Sequence, residues 1–119
     1  DCSKVRSQLE DVREVRASGR AFAALLQNGR VVTWGDGFSG GDSRAVQDLL
    51  VNVAQLHSTM KAFAAILSNG RVVTWGDKKA GADSSNVQEQ LVNVRHVHGS
   101  GRAFAAICAD GHVVCWGDP

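Results

Sequence analysis

The residues able to do chemistry in this chain recur in threes. Asp36, Asp77 and Asp118 each follow a Trp-Gly pair. Carboxylates are the raw material of acid–base catalysis, but that work needs two groups in different environments, and a threefold copy makes them alike. The alternating ligand pattern of a Ca²⁺ loop is also missing, so these aspartates read as turn-stabilising or capping groups. His96 and His98 stand two apart, with His57 the register-mate of His98. Two imidazoles on one face of a strand make half a metal site. Cys2 and His112 are the remaining candidates for a third ligand, neither with an evident claim, so a solvent-facing pair is expected. No Ser-His-Asp set, phosphate loop or paired Cys-x-x-Cys motif is present. The expectation is a non-enzymatic chain with no cofactor and no metal.

Two cationic sets carry the functional expectation. Arg20, Lys61 and Arg102 share one register, and Arg30, Arg71 and His112 share another. If the units close, these positions make two rings of cationic side chains, able to dock an acidic surface or an anionic head group. The competing reading is solubilising charge, offset by Glu10, Asp11, Glu14, Asp48 and Glu89. Trp34, Trp75 and Trp116 can either present stacking platforms to a sugar, base or pigment, or plug the junctions of a repeat. The second is the usual work of repeat-anchoring aromatics, and Phe22, Phe63 and Phe104 are expected to join them.

These residues are positioned by a sentence of 41 residues written three times. The copies run from 1 to 39, 42 to 80 and 83 to 119, and together make a single domain spanning 1–119. Each opens on a polar stretch with apolar residues four apart (Val5/Leu9, Val46/Leu50, Val87/Leu91), the spacing of one helical face. Asp42-Ser43 and Asp83-Ser84 supply side-chain oxygens for the first turn of a short helix. Alternation over Val51 to Leu56, echoed at Val92 to Val97 and Val12 to Val15, predicts a half-buried strand. Ala62 to Leu67 is apolar throughout, which predicts a central strand covered on both faces. A turn at Asn28-Gly29, Asn69-Gly70 or Asp110-Gly111 then leads into Val-Val-x-Trp. The fold expected is mainly β with short helices: three repeats, each a short helix plus a three-stranded antiparallel meander. Closure into a propeller- or prism-like body with pseudo-three-fold symmetry is favoured over an open array, because the third copy keeps its apolar residues where an array needs a polar cap.

Composition bounds the rest. A chain of 119 residues with 44% hydrophobic and 21% charged residues has an ordinary globular balance. Net charge +1 gives no strong field toward nucleic acid or anionic lipid. Apolar runs such as Ala21 to Leu26 fall far short of the roughly 18 residues of a spanning helix, so membrane insertion is not expected. The chain begins at Asp1, so either a leader has been removed or the sequence is an excerpt. Its three cysteines all lie in the terminal copies. Cys2 takes the position of Ser43 and Ser84, Cys108 that of Leu67, and Cys115 that of Thr33 and Thr74. A disulfide from Cys2 to Cys108 or Cys115 would staple the ends, whereas small buried thiols are the alternative. A two-residue turn at Asp110-Gly111 would put Cys108 and Cys115 on one face, and a bulged turn would put them on opposite faces. Neither sets the sulfurs directly opposite, so they are not expected to bridge to each other.

The run Gly-Arg-Ala-Phe-Ala-Ala-Ile, the Asn/Asp-Gly turn and Val-Val-x-Trp-Gly together resemble the regulator of chromosome condensation repeat, also found in HERC-type ubiquitin ligases. Gly40-Gly41-Asp42-Ser43-Arg44-Ala45-Val46-Gln47 is similar to a compact variant abundant in dinoflagellate proteins. The resemblance covers essentially the whole chain. It implies a propeller-like repeat fold and a non-catalytic scaffold binding other protein subunits, such as a peripheral accessory subunit of an organellar complex, a photosystem for instance. By family analogy it also raises guanine-nucleotide exchange and a ubiquitin-ligase-associated adaptor. No exchange-factor wedge and no ligase domain is matched. A lectin-like or small-molecule binder using the tryptophans is the third reading.

Overall fold

The computed structural model describes residues 11–36, 42–77 and 83–117. They form three separate antiparallel sheets of three strands each. The first holds β1 (Val12–Ala17), β2 (Ala21–Leu26) and β3 (Val31–Gly35); the second β4 (Val53–Ser58), β5 (Ala62–Leu67) and β6 (Val72–Gly76); the third β7 (Val94–Gly99), β8 (Ala103–Cys108) and β9 (Val113–Gly117). In each sheet the strands lie in chain order. The three meanders read from the repeat are therefore present.

The first strands start later than the alternation predicts, at Val53 and Val94. Asn52 and Asn93, like their register-mate Asp11, take φ near +55°, a left-handed conformation that Asn and Asp tolerate better than other side chains. Their carbonyls accept from the backbone of Gln27, Ser68 and Ala109 at 2.8, 2.8 and 2.9 Å. The chain is bent there, so the extended run begins only at the following valine. The second turn is the bulged form. Cys108 N donates to His112 O at 2.9 Å and Gly111 has φ +91°, as Gly29 and Gly70 have +83° and +84°. This register sends Cys108 inward and Cys115 to the opposite, exposed face; both carry free thiols, while Cys2 lies outside the described residues.

Each sheet has two unlike faces, because paired residues alternate sides along the strands. One face carries a cross-strand Phe–Trp pair: Phe22–Trp34, Phe63–Trp75 and Phe104–Trp116, all stacked with ring centroids 5.4 Å apart. The other carries small and branched residues, Ala62, Ala64, Ile66 and Val72 in the middle sheet. One core packs Phe63 and Trp75 against Ala21, Ala23, Leu25 and Val31 of the first sheet. A second packs Phe104 and Trp116 against Ala62, Ala64, Ile66 and Val72. The middle strand β5 is thus covered on both sides, as its apolar run predicts.

Two expectations come out differently. Where two-turn helices are expected, the connectors hold 3-10 helices at Arg44–Leu49 and Gln88–Gln90; the stretch containing Val5 and Leu9 lies outside the described residues. The serines do not cap these helices. Ser43 Oγ lies 2.7 Å from Thr33 Oγ1 and Ser84 Oγ 2.9 Å from Thr74 Oγ1, and each also accepts from Gln47 or Gln88 Nε2 at 2.6 and 2.7 Å. Asp42 and Asp83 instead accept from the backbone two residues on, at 3.1 Å. Side-chain bonds made to the preceding sheet tie the segment down before a regular α-helix can extend. Closure into a threefold body is the second, and it is not shown. Both cores join consecutive sheets, and among the described residues none joins the third to the first. The Phe–Trp face of the first sheet therefore has no sheet upon it: Phe22 is 41% exposed, against 0% for Phe63 and 1% for Phe104.

The pairing of aromatic plate with small-residue face sets unequal consequences for equivalent residues. Trp75→Ala is expected to cost about 3–5 kcal/mol in urea unfolding, the range for an emptied aromatic site. Trp34→Ala, on the uncovered face, is expected to cost less than half as much. Equal losses would contradict the packing described.

Candidate functional site

Each sheet joins its first two strands through a four-residue turn begun by Ser18, Thr59 or Ser100. The turns close alike, with Ser18 N, Thr59 N and Ser100 N donating to Ala21, Ala62 and Ala103 O at 2.9, 2.9 and 2.8 Å. They are also laced to one another. Gly19 N donates to Met60 O, and Met60 N donates to Gly101 O at 3.0 Å. This brings Arg20, Lys61 and Arg102 onto one continuous edge, all exposed, with Met60 exposed among them.

The Trp-Gly-Asp ends of the sheets brace that edge from behind. Asp36 N donates to Arg20 O at 3.0 Å and Asp77 N to Lys61 O at 2.9 Å. Gly35, Gly76 and Gly117 take φ of +106°, +112° and +112°, and a Cβ on any of them would come within 2.8 Å of the turn backbone. The glycine after each tryptophan is thus demanded by the close approach of the cationic turn. Asp36 and Asp77 stand here half-buried, and Asp118 lies outside the described residues.

The second cationic set is placed differently. Arg30 and Arg71 are half-buried and reach across to the connectors, donating to Gln47 O at 3.4 Å and Gln88 O at 3.1 Å. Gln47 and Gln88 in turn donate to Val31 O and Val72 O at 3.3 and 3.0 Å. These arginines clamp sheet to connector. His112 makes no such clamp; its Nδ1 sits 2.7 Å from Asp110 Oδ2 on the surface. His112 also holds the Asp110 carboxyl below its ordinary range, through its backbone N–H first and its ring second.

A polar row that the repeat spacing did not single out as a whole lies on β1, β4 and β7, the strands that pack edgewise between sheets. Arg16, His57 and His98 share a register, as do Glu14, Gln55 and His96. Glu14 Oε1 accepts from Leu56 N at 2.9 Å, and His57 Nε2 lies 3.1 Å from Gln55 Oε1. His96 and His98 stack at 5.9 Å and are exposed, the solvent-facing pair expected. Burial, then the Arg16 charge, pushes the His57 imidazole below its usual pKa, with Glu14 opposing and His96 and His98 adding to the fall. Among the described residues, no three His, Cys, Asp or Glu side chains lie close enough to hold a metal ion. The three tryptophans divide by position: Trp75 and Trp116 are buried in junctions, and Trp34 is half-buried on the uncovered face.

No family model matches this chain, and no curated protein matches it. Solved structures do. Human WBSCR16 superposes with a TM-score of 0.65 at 21% identity over 89% of this chain and 33% of its own length. The CRINKLY WD40 ectodomain of the Arabidopsis thaliana receptor kinase ACR4 gives 0.60 at 22% identity, over 91% of this chain and 39% of its own. Yeast RCC1 (Prp20), in its complex with Kap60, gives 0.50 at 13% identity over 97% and 45%. The chain thus spans about a third of the first, about two fifths of the second and under half of the third. At these identities the likeness shows a propeller-like repeat fold, consistent with the repeat resemblance read from the sequence.

The His57 environment carries a pH dependence. With its folded pKa below the unfolded value near 6.5, the neutral ring favours the folded state. Stability is expected to be full above about pH 6.5 and to fall as pH drops through that value toward the folded pKa. His57→Gln should flatten the decline in urea midpoints measured between pH 7.5 and 5. A slope unchanged by the substitution would contradict the assignment.

Proposed function

We propose that this chain is a non-catalytic repeat scaffold that binds other protein subunits through the edge bearing Arg20, Lys61 and Arg102, as a peripheral accessory subunit of a larger assembly. The observation that carries this reading is the lacing of the three turns. Backbone bonds from Gly19 to Met60 and from Met60 to Gly101 hold three sheets' turns in one line, so the cations are presented by a scaffold rather than by independent loops. Cationic side chains spaced along a braced edge, with an exposed methionine between them, suit an acidic protein surface with an apolar spot. A net charge of +1 makes this a local recognition feature rather than a field around the whole molecule. The yeast RCC1 structure, solved with Kap60 bound, is a related fold engaged with a protein partner. Arg30 and Arg71 are assigned to support, since their guanidinium groups are engaged by the connectors.

The edge is tested by reversing its charge. Arg20→Glu, Lys61→Glu and Arg102→Glu combined change exposed side chains, so far-UV dichroism and the urea midpoint should stay near those of the parent chain. Stoichiometric co-purification of protein partners from the native source should fall about ten-fold or more, and the parent interaction should weaken with added salt. Unchanged co-purification by the triple variant would reject the edge.

A further inference from the structure

A cavity of about 460 Å³ lies between the two connectors, over the β5–β6 hairpin. It sits at the opposite end of β5 from Lys61, away from the cationic edge, and its walls all come from the stretch between Val46 and Gln88. The volume falls within the roughly 300–1,000 Å³ of small-molecule sites. Val46, Leu49 and Leu67 give it an apolar side, and Arg71, Asp83 and Ser85 a polar one.

Two departures from the repeat meet at this cavity. Leu49 is 55% exposed, an apolar side chain in water where the other two copies carry Gln8 and Gln90. Ser85 stands at the register of Arg44. The Arg44 guanidinium folds back on Asp42, Nε and Nη2 donating to Oδ1 and Oδ2 at 2.9 and 2.8 Å. In the next connector Ser85 Oγ donates to Asp83 Oδ1 at 2.6 Å instead, so a short side chain borders the cavity where a long one stands in the repeat before. The junctions need neither departure. Leu50 fills the first core, while Ser84 and Gln88 tie the second connector to Thr74 and Val72. Packing between sheets therefore leaves Leu49 unexplained, and a ligand in the cavity explains it.

The charges narrow the ligand. Arg71 is half-buried; its Nη2 donates to Gln88 O and Oε1 at 3.1 and 3.4 Å, and among the described residues its Nη1 donates to none. A guanidinium removed from bulk water is screened less than one on the surface, and its strong partner is a carboxylate or phosphate. Asp83, exposed at the rim, adds one negative charge, which disfavours a doubly charged ligand. The apolar side rewards an alkyl body of the size of a leucine side chain. We propose that this cavity binds a small aliphatic monocarboxylate, its alkyl group on Val46, Leu49 and Leu67 and its carboxylate on Arg71 Nη1. Such binding is independent of the edge bearing Lys61.

Titration of the ¹⁵N-labelled full chain with isocaproate, followed by amide chemical shifts, tests the proposal. The amides of Leu49, Leu67 and Arg71 should shift and saturate with a Kd of about 1 mM or tighter. Isocaproamide keeps the alkyl body without the charge, and acetate keeps the charge without the body; each should bind about ten-fold more weakly or worse. Leu49→Gln gives the connector the residue that the other copies carry, so its spectrum away from the cavity should match the parent's. It should weaken isocaproate about ten-fold, the loss of one leucine contact. No saturable shift by about 10 mM isocaproate, ten times the expected constant, would overturn the proposal. So would equal binding of isocaproamide or acetate, inorganic phosphate moving the same amides as strongly, or a Leu49→Gln chain that binds as the parent does.

Discussion

The contact on which the rest depends is an aromatic plate lying on a small-residue face. A three-stranded sheet from a 41-residue repeat has too little interior to hold itself together, and two bare faces would remain in water. Burying a large aromatic side chain contributes roughly 2–3 kcal/mol, and each junction buries one phenylalanine and one tryptophan along with valines and at least one leucine. The plate needs the alanines opposite it. Ala21 and Ala23, or Ala62 and Ala64, leave room for stacked rings, while Leu25 and Ile66 fill the margin. Equivalent residues therefore differ in burial only by whether a neighbour is present, as Phe22 and Phe63 demonstrate.

The polar contacts follow from that packing and give it direction. With the apolar faces in register, the connector passes across the junction and its serine and glutamine satisfy groups of the preceding sheet. The hairpin carbonyl seats the next first strand, and the opposite turns lace together. One geometry thereby fixes both ends of each sheet. The cationic edge inherits its rigidity from this arrangement, since Arg20, Lys61 and Arg102 sit on turns bonded to one another and braced by Gly35, Gly76 and Gly117.

Periodicity made most of this legible beforehand. The repeat of Phe, Trp and Asn/Asp-Gly located the meanders, and the apolar run of Ala62 to Leu67 identified the strand covered on both faces. Spacing alone does not choose between a two-residue and a bulged hairpin, because both accept Asp110-Gly111; the observed register, Ala105 opposite Cys115, fixes the face of Cys115. The connectors misled for a physical reason. Val46 and Leu50 have helical spacing, but Ser43 and Gln47 bond outward to Thr33 and Val31, a tertiary demand invisible in local pattern. The missing polar cap argues for closure, whereas among the described residues the two cores join consecutive sheets only. The role of Arg30 and Arg71 as clamps was hidden too, since a shared register reveals equivalence but not whether a guanidinium points to water or to a carbonyl.

Native-state hydrogen exchange on the dilute, monomeric chain measures the central interaction most directly. If the sheets are held by one another, amides of β5, covered on both sides, should open least often, with β2 and β8, each covered on one side, exchanging faster. Equal protection of the three strands, or a β5 that exchanges faster than its counterparts, would contradict mutual support between the modules.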